Sequence, residues 1–169
     1  LTRTLNNMMK ANVERITAEG RLQVIWQTGK FYEREMTEFM QGRSSEGIWR
    51  GAFIDRMVLA YAAADVVVGR SGAGTVSELC LIGKPAIFVP SPNVAEDHQT
   101  KNALALVNKQ AAIYVKDSEA ETTLMDVALS TVNDEQKLKE LTENIAKLAL
   151  PDSARIIAQE VIKLAEAKS

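Results

Sequence analysis

The sequence predicts an α/β fold, a parallel sheet sandwiched by helices, and three observations carry that prediction. Short apolar stretches alternate with helical stretches along the whole chain. The strand-like stretches are apolar on both faces, as strands buried between two helical layers must be. One of them, Asp65-Val-Val-Val68, runs into the glycine-rich turn Gly69-Arg-Ser-Gly-Ala-Gly74, and that turn opens a helix.

The elements follow in order. Leu5, Met8, Met9, Val13 and Ile16 form a helical stripe. Leu22 to Gln27 reads as a buried strand stopped by Thr28-Gly29-Lys30, and a polar helix covers Tyr32 to Met40. After the loop Gly42-Arg-Ser-Ser45, Ile48 to Phe53 is the next strand and Met57 to Ala64 a helix. Asp65 to Val68 is a strand, Thr75 to Ile82 a helix, and Gly83-Lys-Pro85 a turn into the strand Ala86 to Val89. Past Pro90-Ser-Pro-Asn93 comes a helix near Gln99 to Asn108, then a fifth strand at Ala111 to Val115. Three helices close the chain: Glu121 to Val132, a second with Leu138, Leu141, Ile145 and Leu148 on one face, and a third after Pro151. In parallel sheets the ligand crevice lies beyond the carboxyl ends of the strands. The loops Ile54 to Met57, Gly69 to Thr75 and Pro90 to Gln99 are expected along that edge.

The bulk numbers narrow the function. The 169 residues suit one domain. Apolar residues at 46% and charged residues at 25% are ordinary globular values. A net charge of −2 without a dense Lys/Arg block argues against nucleic acid as a partner. Cys80 is the one cysteine, so no disulfide forms within the chain, and a reducing compartment is expected. No apolar run is long enough to span a bilayer, and no signal peptide is visible. The chain starts at Leu1 directly in helical pattern, which reads as a piece of a longer protein.

The glycine-rich turn bears the chemistry. Gly69, Gly72 and Gly74 permit a tight bend and a close approach to a ligand. The unpaired N–H groups at the start of the next helix favour an anion, most often phosphate. The turn lacks the Gly-Lys-Ser/Thr of a P-loop, and its Gly-x-x-Gly-x-Gly spacing is not the dinucleotide fingerprint. A ligand-free strand–helix turn would look the same. Glu78 has two readings. Thr75-x-x-Glu78 is a capping box, with Thr75 as N-cap and Glu78 at the third helical position. Alternatively, the Glu78 carboxylate accepts hydrogen bonds from vicinal ribose hydroxyls. His98, the only histidine, has no Cys/His cluster around it to hold a metal, so it reads as a surface or capping residue. Gln99 and Asn102 can donate to and accept from a sugar, or simply start a helix. Ile54 and Met57 flank Asp55-Arg56 and are either core at a helix entrance or an apolar shelf for a base. No Asp-x-Asp pair and no nucleophile set is present, so neither metal, cofactor nor catalytic residue is assigned.

Read together, several blocks resemble the MurG family of N-acetylglucosaminyltransferases. They are Tyr61 to Glu78, Gly83-Lys-Pro-Ala-Ile-Phe-Val-Pro90, Glu96-Asp-His-Gln-Thr-Lys-Asn-Ala103 and Gly51-Ala-Phe-Ile-Asp-Arg-Met57. Trp26-Gln-Thr-Gly-Lys30 and Pro151-Asp-Ser-Ala-Arg155 match more weakly. The resemblance implies a Rossmann-like domain, the C-terminal donor half of a GT-B-type enzyme, binding UDP-N-acetylglucosamine. By matching position, backbone at Ile54 would read uracil with Met57 nearby. Ala73, Gly74 and Thr75 would hold the diphosphate and sugar at the helix start, with Ser71, Gly72, Val76 and Ser77 also among the substrate-binding residues. Glu78 would take the ribose, and Gln99, with His98 and Asn102, the sugar hydroxyls. The family's Gly-Gly-Ser-type loop before the first helix is not present in Leu1-Thr-Arg-Thr-Leu-Asn6. The lipid-linked muramyl-pentapeptide, the peripheral contact with the cytoplasmic face of the membrane and the general base would belong to the other half. A UDP-sugar epimerase and a non-catalytic nucleotide-binding module are the alternative readings.

Overall fold

A computed structural model describes residues 2–149 and Glu166. The chain divides into two compact units, one running to Ala64 with Ser118–Asp126 added, the other Asp65–Asp117 with the residues from Val127 onward.

In the first unit, helix α1 (Arg3–Glu19) buries the expected stripe of Leu5, Met8, Met9, Val13 and Ile16. The Thr2 side chain caps its start, and Gly20 ends it at φ 68°, a left-handed conformation that glycine adopts without strain. Strands β1 (Val24–Gln27) and β2 (Ile48–Gly51) pair in parallel, Val24 opposite Ile48 and Gln27 opposite Gly51. Between them a 3₁₀ turn (Lys30–Tyr32) leads into α2 (Glu33–Met40), which buries Met36 and Met40. Asn6, buried on α1, donates from Nδ2 to the Thr28 carbonyl at 3.0 Å and accepts from the Trp26 indole at 2.9 Å. One buried carboxamide thus fastens α1 to the end of β1, with donor and acceptor both satisfied. After β2 comes α3 (Met57–Ala63).

In the second unit, β3 (Val67–Gly69), β4 (Ala86–Phe88) and β5 (Ile113–Tyr114) form a parallel sheet in the order β3-β4-β5. Ala86, Ile87, Phe88 and Val89 are buried, as a central strand covered on both faces should be. The crossovers are α4 (Ala73–Ile82) and α5 (His98–Val107). Gly83 ends α4 at φ 64°, and its N–H returns to the Cys80 carbonyl. Helix α6 (Asp117–Val132) follows, and α7 (Glu135–Leu148) packs on α4, burying Leu141 and Ile145.

Three expectations change. The single sheet is two parallel sheets among the described residues, because no ladder joins β1 or β2 to β3, β4 or β5. Helix α4 begins at Ala73, not Thr75, since the Val76 N–H already donates to the Gly72 carbonyl at 3.0 Å. The helix predicted after Pro151 lies outside the described residues.

Candidate functional site

The site on the second unit is built from two neighbouring strand ends. Because β3 and β4 are parallel partners, the loops after Gly69 and after Phe88 leave the same edge of the sheet. Side chains then stitch the loops together. Ser71, fully buried, donates from its hydroxyl to the Gln99 carbonyl at 2.7 Å. Asn102 donates from Nδ2 to the Ser71 carbonyl at 3.0 Å. Gln99 accepts the Ser91 N–H on its Oε1 at 2.9 Å, and its Nε2 reaches Glu96 at 3.5 Å. The β3–α4 loop, the β4–α5 loop and the first turns of α5 are one hydrogen-bonded frame.

Sequence reasoning missed the residue that anchors this frame from below. The Arg70 guanidinium, mostly buried, donates to the Val89 and Pro90 carbonyls at 2.9 and 3.2 Å and pairs with Asp117 at 2.6 Å. All three contacts are made by one nitrogen, Nη1, which joins the turn after β3, the end of β4 and the start of α6. The signal available was an arginine inside an otherwise small-residue turn, but its partner is 47 residues away in sequence.

The start of α4 differs from the capping-box reading. Gly72 is the N-cap and has no side-chain cap, so Thr75 is the third helical residue and Glu78 the sixth. A box needs its acid at the third position to fold back on the N-cap. That role for Glu78 is ruled out, and its carboxylate is exposed on the second turn. The N–H groups of Ala73, Gly74 and Thr75 lie in the first turn, where the helix supplies no acceptor.

Gly69, Gly72 and Gly74 do not have positive φ. A Cβ added at any of them would meet nothing within 4 Å. The turn therefore does not need glycine for its own folding. The absent side chains leave open space at the end of β3, at the cap of α4 and in its first turn.

His98 is exposed at the first residue of α5. Val76 and Ser77 are half-buried within α4. In the first unit, Ile54 and Met57 are half-buried at the loop after β2 and the start of α3. An open surface depression of about 330 Å³ is lined by Ile54 with Ile25, Trp49, Leu59 and Ala60. The Ile54 N–H donates to the Gln27 Oε1 at 3.1 Å. Among the described residues, no group of His, Cys, Asp and Glu could hold a metal ion, and no helix is long and apolar enough to cross a membrane.

Parallel strands with crossover helices and a loop cluster at the strand ends are the Rossmann-like arrangement found in GT-B glycosyltransferases. Solved structures share that fold. The MurG crystal structure from Acinetobacter baumannii matches with a TM-score of 0.74 at 26% identity, over 95% of this chain and 46% of that one. The glycosyltransferase VinC matches in fold with a TM-score of 0.63 at 21% identity, over 93% of this chain and 37% of that one. The family model for the glycosyltransferase family 28 C-terminal domain matches residues 2–157, and the chain belongs to that family. A Bacteroides thetaiotaomicron protein is 63% identical over 99% of this chain. It is named UDP-N-acetylglucosamine--N-acetylmuramyl-(pentapeptide) pyrophosphoryl-undecaprenol N-acetylglucosamine transferase. The chain spans 45% of that relative's length.

Proposed function

We propose that this chain is the donor-binding domain of an inverting glycosyltransferase that moves N-acetylglucosamine from UDP to a lipid-linked muramyl-pentapeptide in peptidoglycan synthesis. The observation that carries the proposal is the open, glycine-lined turn at the N-terminus of α4, where the protein's own packing gives no reason for glycine. A diphosphate gives one: its oxygens need close backbone approach and unpaired N–H donors.

In this reading the amides of Ala73, Gly74 and Thr75 hold the diphosphate, with Ser71, Gly72, Val76 and Ser77 shaping the loop around it. The helix end contributes roughly half a positive charge. Glu78 accepts the ribose hydroxyls. The Gln99 Nε2, whose bond to Glu96 is long at 3.5 Å, donates to a sugar hydroxyl, with His98 and Asn102 nearby on α5. Backbone at Ile54 reads the uracil, with Met57 beside it. An acceptor hydroxyl attacks the anomeric carbon as the bond to UDP breaks, inverting that centre. The amides at the start of α4 stabilise the charge that grows on the leaving diphosphate, which lowers the barrier only if they are oriented beforehand. The Arg70–Gln99 frame supplies that orientation. The acceptor, the general base and the peripheral contact with the cytoplasmic face of the membrane are assigned to the rest of the protein.

Calorimetric titration with UDP-N-acetylglucosamine, UDP-glucose and NAD tests the reading. Uridine nucleotides should bind and NAD should not. With the complete protein, free UDP and a longer lipid saccharide identify transfer, whereas an altered sugar on intact UDP identifies an epimerase.

A further inference from the structure

Gln27 ends β1, and its place there follows from strand geometry. Alternate residues of a strand share a face, so Gln27 lies on the side of Ile25, opposite Trp26, whose indole is buried on Asn6. Across the ladder Ile25 faces Trp49 and Gln27 faces Gly51. Gly51 has no side chain to obstruct the view: a Cβ there would come within 2.7 Å of the Trp49 ring. The Gln27 carboxamide can therefore extend past the end of β2 and accept the Ile54 N–H at 3.1 Å.

The same loop is already held without it. Thr28 N–H donates to the Gly51 carbonyl at 2.9 Å, and Gly29 N–H to the Ala52 carbonyl at 3.1 Å. The Thr28 hydroxyl adds a bond to the Gly51 carbonyl at 3.4 Å. The Gln27 bond is thus not what fixes the loop's path. Its chemistry has another fit. A carboxamide presents a carbonyl beside an N–H donor, which is also the pattern on the edge of a uracil ring. Ile54 lines an open apolar depression of about 330 Å³ that Trp49 also lines, a surface against which a planar ring can lie.

We propose that Gln27 is a built-in placeholder for the base, holding the Ile54 N–H until a pyrimidine carbonyl takes it over. This rests on the reading of the chain as a uridine-nucleotide domain. The placeholder keeps a half-buried amide satisfied in the unliganded protein, and it sets a threshold that a base must exceed. A base without a matching carbonyl cannot make the exchange, so Gln27 contributes to base selection through Ile54 rather than by touching the phosphates.

The test is calorimetry and backbone NMR on the full 169-residue chain, with UDP and with inorganic pyrophosphate as probes. Removing the competitor in Gln27→Ala should tighten UDP binding about three- to tenfold. Gln27→Glu, whose carboxylate accepts the Ile54 N–H more strongly, should weaken UDP by a similar factor. Neither change should move pyrophosphate affinity, and in the wild type UDP should shift both the Ile54 amide and the Gln27 side-chain resonances. Weaker UDP binding by Gln27→Ala would make Gln27 an ordinary brace of the loop and overturn the proposal. Equal UDP affinity across all three proteins, with the amides of residues 73–75 still responding, would overturn the placeholder and leave the donor-domain reading standing. If UDP perturbs neither site in any of them, both fall together.

Discussion

Glu78 sits on the second turn of α4 with its carboxylate exposed, and the helix cap gives no account of it. If the carboxylate takes the ribose hydroxyls, Glu78→Gln keeps shape and helix but loses the charge-assisted bonds. Such bonds are worth about 1.5–3 kcal/mol, so UDP affinity should fall at least tenfold. 2′,3′-Dideoxy-UDP, which lacks both hydroxyls, provides the control: it should bind the wild type and Glu78→Gln with nearly equal affinity. A loss of the same size for UDP and the dideoxy analogue would reject the ribose role. Arg70 works differently. Its Nη1 partners are two carbonyls and Asp117, so it braces the loop. Arg70→Leu breaks a mostly buried pair and leaves Asp117 without that counter-charge, a change that costs several kcal/mol when burial is complete. Thermal unfolding should show a drop of several degrees. Arg70→Lys should recover part of it, because the charge is kept on a shorter side chain of different shape.

At the level of elements, α4 shows what local pattern reveals and what it does not. The strand, the glycine turn and the helix were legible because each is written in neighbouring residues. The two-residue shift in the helix start was not. Thr75-x-x-Glu78 is a good box on paper, but Ala73 and Gly74 enter the helix first, and Gly72 takes the cap with no side chain to mark it. The braces were also hidden, since Ser71 finds Gln99 28 residues on and Arg70 finds Asp117 across 47. This cap makes a sharp prediction. Gly72 has φ −62° and ψ 151°, which aspartate adopts freely, and space for a side chain is open. Gly72→Asp should add a few tenths of a kcal/mol to stability as a better N-cap. The same carboxylate would stand where the diphosphate is proposed to sit. Two like charges about 5 Å apart repel by roughly 3 kcal/mol at an effective dielectric near 20. The melting temperature should therefore hold or rise while UDP affinity falls more than a hundredfold. Unchanged UDP binding in this variant would remove the diphosphate from the start of α4.

For the whole molecule, the alternation of strands and helices predicted parallel pairing correctly, but not which strands share a sheet. Pairing between sheets is decided by contacts across the chain, and no single stretch encodes that β1–β2 and β3–β4–β5 form separate ladders. The relatives matched here extend well beyond this chain, which spans 45% of the Bacteroides thetaiotaomicron protein, so binding and turnover need not reside in one half. The distribution of polar groups suggests how they divide. The side chains proposed for the sugar are largely committed inside the domain: Gln99 through Oε1 to Ser91, Asn102 to the Ser71 carbonyl. What remains for the sugar is on the order of one neutral hydrogen bond, about 0.5–1.5 kcal/mol. UDP-N-acetylglucosamine should therefore bind this chain no more than about tenfold tighter than UDP, and it should remain intact on prolonged incubation, as chromatography of the mixture would show. Gln99→Ala should erase the difference between the two ligands and lower the melting temperature, because the Ser91 N–H loses its acceptor. A preference for the sugar nucleotide beyond a hundredfold would mean that Gln99 leaves Ser91 on binding and that the frame joining the two loops is rebuilt around the donor. Steady release of UDP would place hydrolytic groups in this chain itself, and the division of labour argued from its bonding would be wrong.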